Sequence, residues 1–361
     1  MIAMEPTIIE RSGYTVEVEA PTVYVDNKAR RRSGHMTHAM AEFAPGCIID
    51  FNSSCSPVRC SGHSAYGWVE YRISRDAGRT YGPASVLPVS AEYLLDGIYT
   101  ISVEKAVACD DGSIVAFCLR NSTEAPVCCE PWGTPLAVRS TDEGRTWSSP
   151  EECIPYRGRI YDAVYHDGVI YALIKCYEYF IGTSPEHVYR IYKSDDWGHS
   201  FTELCVPPID GVGRGYGSLL FGPDGTLHVY GYNVNAETEM DHAVSEDNGK
   251  TWKLLPPCHL SLGIRNPQTA YIDGVFICHG RSGGAHGFVL YTSEDGANWD
   301  EGVYLIRKDG SCYYSNNINL RDKQGEFLLI QYSDLYDSDM DDPNGWNARV
   351  NTMHTRLRIR R

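Results

Sequence analysis

The chain has 361 residues, a formal net charge of −15 and 42% hydrophobic residues, enough apolar material for one large core or two ordinary domains. No Lys/Arg run is longer than Arg30-Arg31-Arg32, so the acidic balance argues against a nucleic acid or an anionic membrane as partner. The segment Met1 to Pro6 has neither a basic nor an apolar leader character and no stretch reaches the ~18 apolar residues of a membrane span, from which a cytoplasmic location is expected.

In chain order, residues 14–19 alternate as a strand, and six hairpin patterns follow at 36–49, 103–116, 161–173, 216–229, 268–277 and 314–329. Asp111-Gly112, Asp167-Gly168, Asp224-Gly225 and Asp273-Gly274 predict two-residue hairpin turns; the first and sixth hairpins carry Pro45-Gly46 and Gln324-Gly325 instead. Residues 350–359 alternate again, so both ends of the chain supply strands that can close a ring. The thirteen cysteines are odd in number and many lie inside strand-like runs, which reads as reduced core thiols rather than a disulfide framework.

Five copies of one pattern punctuate these hairpins. They are Ser74-Arg75-Asp76-Ala77-Gly78-Arg79-Thr80-Tyr81, Ser140 to Trp147, Ser194 to Phe201, Ser245 to Trp252, and the shortened Ser293-Glu294-Asp295-Gly296-Ala297-Asn298-Trp299, with starts 66, 54, 51 and 48 residues apart. Asp can accept from backbone N–H groups of its own turn, Gly supplies φ > 0, a hydroxyl closes the loop and the aromatic folds back as an apolar plug. A period of roughly 40 to 50 residues with strands between copies is that of a propeller blade, and six hairpins make six blades.

These turns have the form of Asp boxes, and the chain resembles the sialidase (neuraminidase) superfamily over nearly its whole length. The resemblance implies an all-β fold: one six-bladed β-propeller spanning 1–361, four antiparallel strands per blade, Asp boxes on the outer hairpins, and ring closure by the N- and C-terminal strands. It places the boxes far from the active site, so they mark a fold and carry no chemistry.

A propeller offers ligands the funnel at one end of its axis, where the inner strands begin. The polar residues there are His35, Thr37 and His38; Glu104 and Lys105; Arg159, Tyr161 and Asp162; Arg214 and Tyr216; Arg265, Asn266 and Gln268; and Tyr313, Tyr314, Asn316 and Asn317. In Cys312-Tyr313-Tyr314-Ser315-Asn316-Asn317-Ile318-Asn319-Leu320 the spacing from Tyr314 to Leu320 matches that of the family's nucleophilic tyrosine. A neutral phenol attacks an anionic sugar centre with less repulsion than a carboxylate does, once a base takes its proton.

The rest of the family's apparatus is altered. Met36-Thr37-His38 stands where an arginine grips the sialate carboxylate, residues 52–63 hold no acid, and Tyr230-Gly231-Tyr232-Asn233 lacks an arginine; Arg281 alone sits near a triad position. The expected catalytic set is Tyr314, His38, His35 and Glu104. Substrate binding is assigned to Arg281, Arg265, Arg214, His63, Tyr216, Asn266, Gln268 and Asn317. In a regular strand only one of Glu104 and Lys105 faces the axis, and the register with His38 selects Glu104.

No cofactor or metal is expected: Asp337 to Gly345 resembles a calcium loop but lacks the sixth-position Gly and the twelfth-position Glu. Three readings stand. The chain is a carbohydrate-active hydrolase cleaving a terminal sugar, acidic or not, without being a standard sialidase; or a polysaccharide or uronate lyase using His and Tyr; or a glycan-binding propeller without catalysis.

Overall fold

Each sequence hairpin forms the two innermost strands of a separate sheet. The structure, a computed structural model, describes residues 6–58, 65–124, 132–176, 187–310, 313–335, 337–338 and 348–361. Blade one is Met40–Ala44, Cys47–Cys55, Gly67–Ser74 and Ser85–Val86. Blade two is Tyr99–Ala108, Ile114–Ser122, Leu136–Ser140 and Glu151–Glu152. Blade three is Gly158–His166, Val169–Cys176, Tyr189–Ser194 and Thr202–Cys205. Blade four is Arg214–Phe221, Leu227–Asn233, Glu239–Ser245 and Lys253–His259. Blade five is Arg265–Ile272, Val275–Arg281, Gly287–Ser293 and Val303–Arg307.

The sixth blade joins the chain ends. Ser315–Asp322 pairs with Gly325–Ser333, which pairs with Thr352–Arg360, which pairs in turn with Tyr14–Val18, with Thr15 opposite Arg360. Thr7–Arg11 extends this sheet outward and Thr22–Val25 adds to the closing strand. At the seam with blade one, His354 of the closing strand lies 2.9 Å from the buried Asp50 carboxylate, which also accepts from the Tyr81 hydroxyl at 3.0 Å.

Second strands such as Ile114–Ser122 and Val169–Cys176 are apolar almost throughout because each is covered on both faces by neighbouring blades. The core is therefore a ring of inter-blade layers. One layer packs Ile49, Phe51 and Val69 of blade one against Val103, Ile114 and Ala116 of blade two; another packs Ile277 and Phe288 of blade five against Leu328 and Ile330 of blade six. Cys47, Cys109, Cys118, Cys153, Cys176, Cys205, Cys258 and Cys278 are free thiols.

Third strands run away from the funnel, so all five Ser-x-Asp turns fall on the opposite rim. In the first, Ser74 Oγ donates to Asp76 Oδ1 (2.8 Å) and accepts from Gly78 N–H (2.9 Å), while Thr80 donates to Asp76 through its N–H (2.8 Å) and hydroxyl (2.7 Å). Asn298 Nδ2 takes the hydroxyl's part in the shortened copy, 2.7 Å from Asp295 Oδ2. In the four full copies the residue before the glycine is left-handed too: Ala77, Glu143, Trp197 and Asn248 have φ of 55 to 63°.

Two details differ from expectation. Asp167-Gly168 and Asp273-Gly274 are two-residue turns, both residues at positive φ, but Asp111-Gly112 and Asp224-Gly225 lie in five-residue loops between Ala108 and Ile114 and between Phe221 and Leu227. There the Asp side chain caps the N–H two residues on (Ser113, 2.9 Å; Thr226, 3.0 Å), which closes a wider turn. A helix, Pro88–Asp96, stands between blades one and two, begun by Pro88 in its first turn and ended by Gly97 at φ 80°.

Candidate active site

At the funnel end the inner strands are not regular. Those of blades two to five each shift register once, at Val103/Lys105, Ile160/Asp162, Arg214/Gly217 and Arg265/Gln268. A bulge adds one residue to one strand and lets neighbouring side chains share a face. It corrects the expectation that only one of Glu104 and Lys105 can face the axis: Glu104 lines the funnel cavity and Lys105 the channel beneath it.

The cavity is lined by Met36 and His38 (blade one), Glu104 (two), Arg159 and Tyr161 (three), Tyr216 (four), Asn266 and Gln268 (five), and Tyr314, Ser315 and Asn316 (six). Among the described residues it encloses about 30 Å³, room for about one water. The connections between second and third strands leave from this end, and in blades one, two, three and six they include residues outside the described set. His63 is one of these.

Tyr216 donates its hydroxyl hydrogen to the Tyr314 hydroxyl at 3.2 Å, with ring centroids 6.0 Å apart. The Arg281 guanidinium sits 5.4 Å from the centre of the Tyr314 ring. Burial raises the Tyr216 pKa well above that of a free phenol, so this hydroxyl keeps its proton and acts as donor. Tyr314 is aimed by backbone on either side of it: its N–H donates to Ser333 Oγ (3.1 Å) and its carbonyl accepts from Ser333 N–H (2.9 Å). The preceding Tyr313 is buried with φ +64°, an uncommon conformation for a bulky side chain. Its carbonyl accepts from Asn266 Nδ2 at 3.3 Å, and Asn266 is itself at φ +45°. Strain of this kind persists where the surroundings over-determine it, and here it brings Tyr314 and Asn266 to one wall.

Glu104 accepts two hydrogen bonds from Arg159, from Nε and Nη2, both at 2.7 Å, and one from Ser102 Oγ at 3.0 Å. Arg159 lies 5.1 Å from the Tyr161 ring centre and 5.4 Å from that of Tyr216. Burial is the largest influence and works against its charge, but the Glu104 carboxylate together with Tyr161, Tyr216 and Tyr314 overcomes it and raises the guanidinium pKa.

His38 Nε2–H donates to the His35 carbonyl at 3.1 Å, which leaves Nδ1 as the lone-pair nitrogen; that atom is buried without a partner. Burial, aided by the Arg159 charge and opposed by the His35 carbonyl, lowers the His38 pKa to about 4, so the ring is neutral at neutral pH. His35 lies behind it, its Nδ1 3.2 Å from Ser33 Oγ, and does not line the cavity.

The other arginines stand outside the cavity, each with a carboxylate. Arg214 Nε donates to Asp241, and Arg265 Nε to Glu237, which also accepts from the Tyr232 hydroxyl at 2.8 Å. Asn317 lies below, its Nδ2 2.9 Å from His279 Nε2, among residues lining the other end of the axis. That lower cavity is larger, about 360 Å³, but the charges at its inner end are satisfied: Lys105 Nζ is 2.9 Å from Asp162 Oδ1 and donates to Asn316 Oδ1 (2.5 Å), while Asp162 Oδ2 accepts from Ser218 Oγ (2.7 Å) and Leu219 N–H (2.8 Å).

The structure thus brings together Tyr314, His38, Glu104, Tyr216, Asn266 and Gln268. Arg159 and Tyr161, present among the inner-strand starts but not assigned a role there, also line the cavity, because the bulge at Ile160/Asp162 sets their register and the letters of the strand do not announce it.

No protein-family model and no curated protein sequence matches the chain. Solved structures do. The Hadza microbial sialidase Hz136 is similar with a TM-score of 0.64 at 14% identity, over 93% of this chain and 68% of that one. The intramolecular trans-sialidase from Ruminococcus gnavus, solved with oseltamivir carboxylate, gives 0.63 at 11% over 92% and 96%. The Trypanosoma rangeli sialidase, solved with 2,3-difluorosialic acid as a covalent intermediate, gives 0.59 at 13% over 98% and 56%. In blade number, strand order and overall likeness, the chain has the six-bladed β-propeller fold of the sialidases.

Proposed function

We propose that the protein is a glycoside-cleaving enzyme that works through Tyr314. The observation that carries this reading is the Tyr314 hydroxyl, hydrogen-bonded to Tyr216 at 3.2 Å beside the Arg281 guanidinium, at the axial mouth of a sialidase-type propeller. A cation over the ring and a donor on the oxygen both favour the phenolate that must form on attack. The Tyr314 proton passes to His38 Nδ1, the phenolic oxygen bonds to the anomeric carbon, and the aglycone leaves with the bonding pair and takes that proton back from His38 at its oxygen. Water then cleaves the tyrosyl glycoside and restores the phenol. Glu104, neutralised by Arg159, acts as a positioning carboxylate.

A lyase of the uronate type needs an arginine for the substrate carboxylate; Arg159, Arg214 and Arg265 already hold protein carboxylates and Arg281 is stacked over the Tyr314 ring, an arrangement that favours the hydrolase. The site is also not that of a standard sialidase, since Met36-Thr37-His38 opens blade one where the carboxylate-gripping arginine is expected. The test is trapping with a 2-deoxy-2-fluoro glycoside: mass spectrometry of the digested protein should find the sugar on Tyr314, and label on another residue, or none with an active enzyme, removes this role.

A further inference from the structure

Three residues lining the cavity each keep one buried atom without a hydrogen-bond partner: His38 Nδ1, Asn266 Oδ1 and Gln268 Oε1. The orientation of each is fixed by its other end. His38 Nε2–H is donated to the His35 carbonyl (3.1 Å), Asn266 Nδ2 to the Tyr313 carbonyl (3.3 Å) and Gln268 Nε2 to the Pro267 carbonyl (3.0 Å). What remains on all three is an acceptor. Leaving a buried acceptor unmade is costly, and three around one cavity are the mark of a ligand that brings donors.

The charges point the same way. Arg159, Arg214 and Arg265 are bonded to Glu104, Asp241 and Glu237. An ionised carboxylate offers acceptors only. It would meet the open acceptors without a hydrogen to give them and would have to displace a protein carboxylate to reach any of these arginines, while Arg281 stands over the Tyr314 ring and is not among the residues lining the cavity. A neutral sugar brings several hydroxyl donors and needs no uncompensated cation. We propose that the funnel takes an uncharged, hydroxyl-rich glycosyl unit, one hydroxyl of which fills the water-sized cavity at its floor, and excludes sialate and uronate. The inference rests on reading this funnel as the substrate site and names the class of sugar that enters it.

The test is calorimetric titration of the full chain with D-galactose, D-glucose, D-mannose, L-fucose and N-acetyl-D-glucosamine, and separately with N-acetylneuraminate and D-glucuronate. At least one neutral sugar should bind at millimolar concentration and neither acid should. Gln268→Leu should weaken that binding roughly three- to tenfold, the loss of one hydrogen bond. Glu104→Gln, which leaves the Arg159 charge uncompensated, should gain binding of N-acetylneuraminate; should that variant fail to fold, Glu237→Gln asks the same of Arg265 at the rim. Tighter binding of either acid than of every neutral sugar by the unaltered protein, or no binding of any neutral sugar, overturns the proposal. The two readings fail separately: a bound neutral sugar with no chemistry at Tyr314 leaves the sugar class standing without the hydrolase, whereas Tyr314-dependent cleavage of an aryl sialoside does the reverse.

Discussion

The two ends of this propeller use polar residues in opposite ways. On the rim of Ser-x-Asp turns the sequence repeats and the turn polar groups meet within a few residues, as where Asp196 accepts from Ser194, from Ser200 N–H and from the Ser200 hydroxyl at 2.6 to 2.9 Å. In the funnel no two blades supply the same set of residues, Glu104 meets Arg159 and Tyr216 meets Tyr314 across blades, and buried acceptors stay open at His38, Asn266 and Gln268. Local satisfaction stabilises; satisfaction withheld until a ligand arrives is what a binding site requires. The rim can be read as scaffold and the funnel as chemistry on physical grounds, without any appeal to conservation.

Mutation should separate the two ends most sharply at Tyr314. Tyr314→Phe removes only the hydroxyl, and on the proposed mechanism turnover of a cleaved glycoside should fall by about three decades or more while the melting temperature holds. Equal activity in the variant would move the chemistry elsewhere. Next in size is Arg159→Leu, which strands the Glu104 carboxylate in a buried site; urea denaturation should show a loss of about 3–5 kcal/mol. A change under about 1 kcal/mol would mean that water reaches Glu104.

The buried histidines and the turn aspartates should also titrate in different ranges. His38, with a folded pKa of about 4, and His242 and His279, at about 3, are held neutral by burial against an ordinary value of 6.5. The unfolded chain binds these protons first, so stability is full above pH 6.5 and declines as pH falls toward 4, by up to about 1.4 kcal/mol per pH unit for each histidine. The turn aspartates Asp142, Asp196, Asp247 and Asp295 are lowered to about 2 from 3.8. Hydrogen bonds from Thr146 and Thr251 lead the causes at Asp142 and Asp247, while at Asp196 and Asp295 the turn's own donors prevail over burial. Their stabilisation is present above pH 3.8 and is lost between there and about 2. Denaturation midpoints against pH should therefore begin to fall near pH 6.5 and steepen below pH 3.8, where the aspartates join, and a flat profile between pH 6.5 and 4 would contradict the buried neutral histidines. The smallest effect is Ser194→Ala, which removes the hydroxyl that donates to Asp196 and accepts from Gly198 N–H, for about 1 kcal/mol and no change in activity.

The same contrast decides what was legible in the sequence. The rim turns and the six hairpins rest on contacts within a few residues, so spacing and residue type were enough to place them. Pro88 and Gly97 bracket the helix Pro88–Asp96 with start and stop signals of the same local kind, yet the dominant strand period hid them. The funnel depends on register. Whether Glu104 and Lys105 both reach the axis is set by a bulge in the pairing with Cys118 and Phe117, which no inner-strand pattern contains. In blade six, with no bulge in that pairing, Asn316 lines the funnel cavity and Asn317 the channel below, and the two asparagines are indistinguishable as letters. The left-handed turn at Tyr313 is equally silent, because tyrosine is the wrong residue from which to expect it.

The seam of the ring sets a schedule for the chain's birth. Thr15 finds Arg360, and Val18 finds Leu357, only after nearly the whole polypeptide lies between them. During synthesis five blades can assemble as they emerge, but the strand Gly325–Ser333 must wait with an unpaired edge until Thr352–Arg360 has left the ribosome, and Tyr14–Val18 waits longest of all. A strand made early is thus among the last to dock, and a chain in which Thr352–Arg360 has not yet joined the sheet carries an open, adhesive gap between Gly325–Ser333 and Tyr14–Val18.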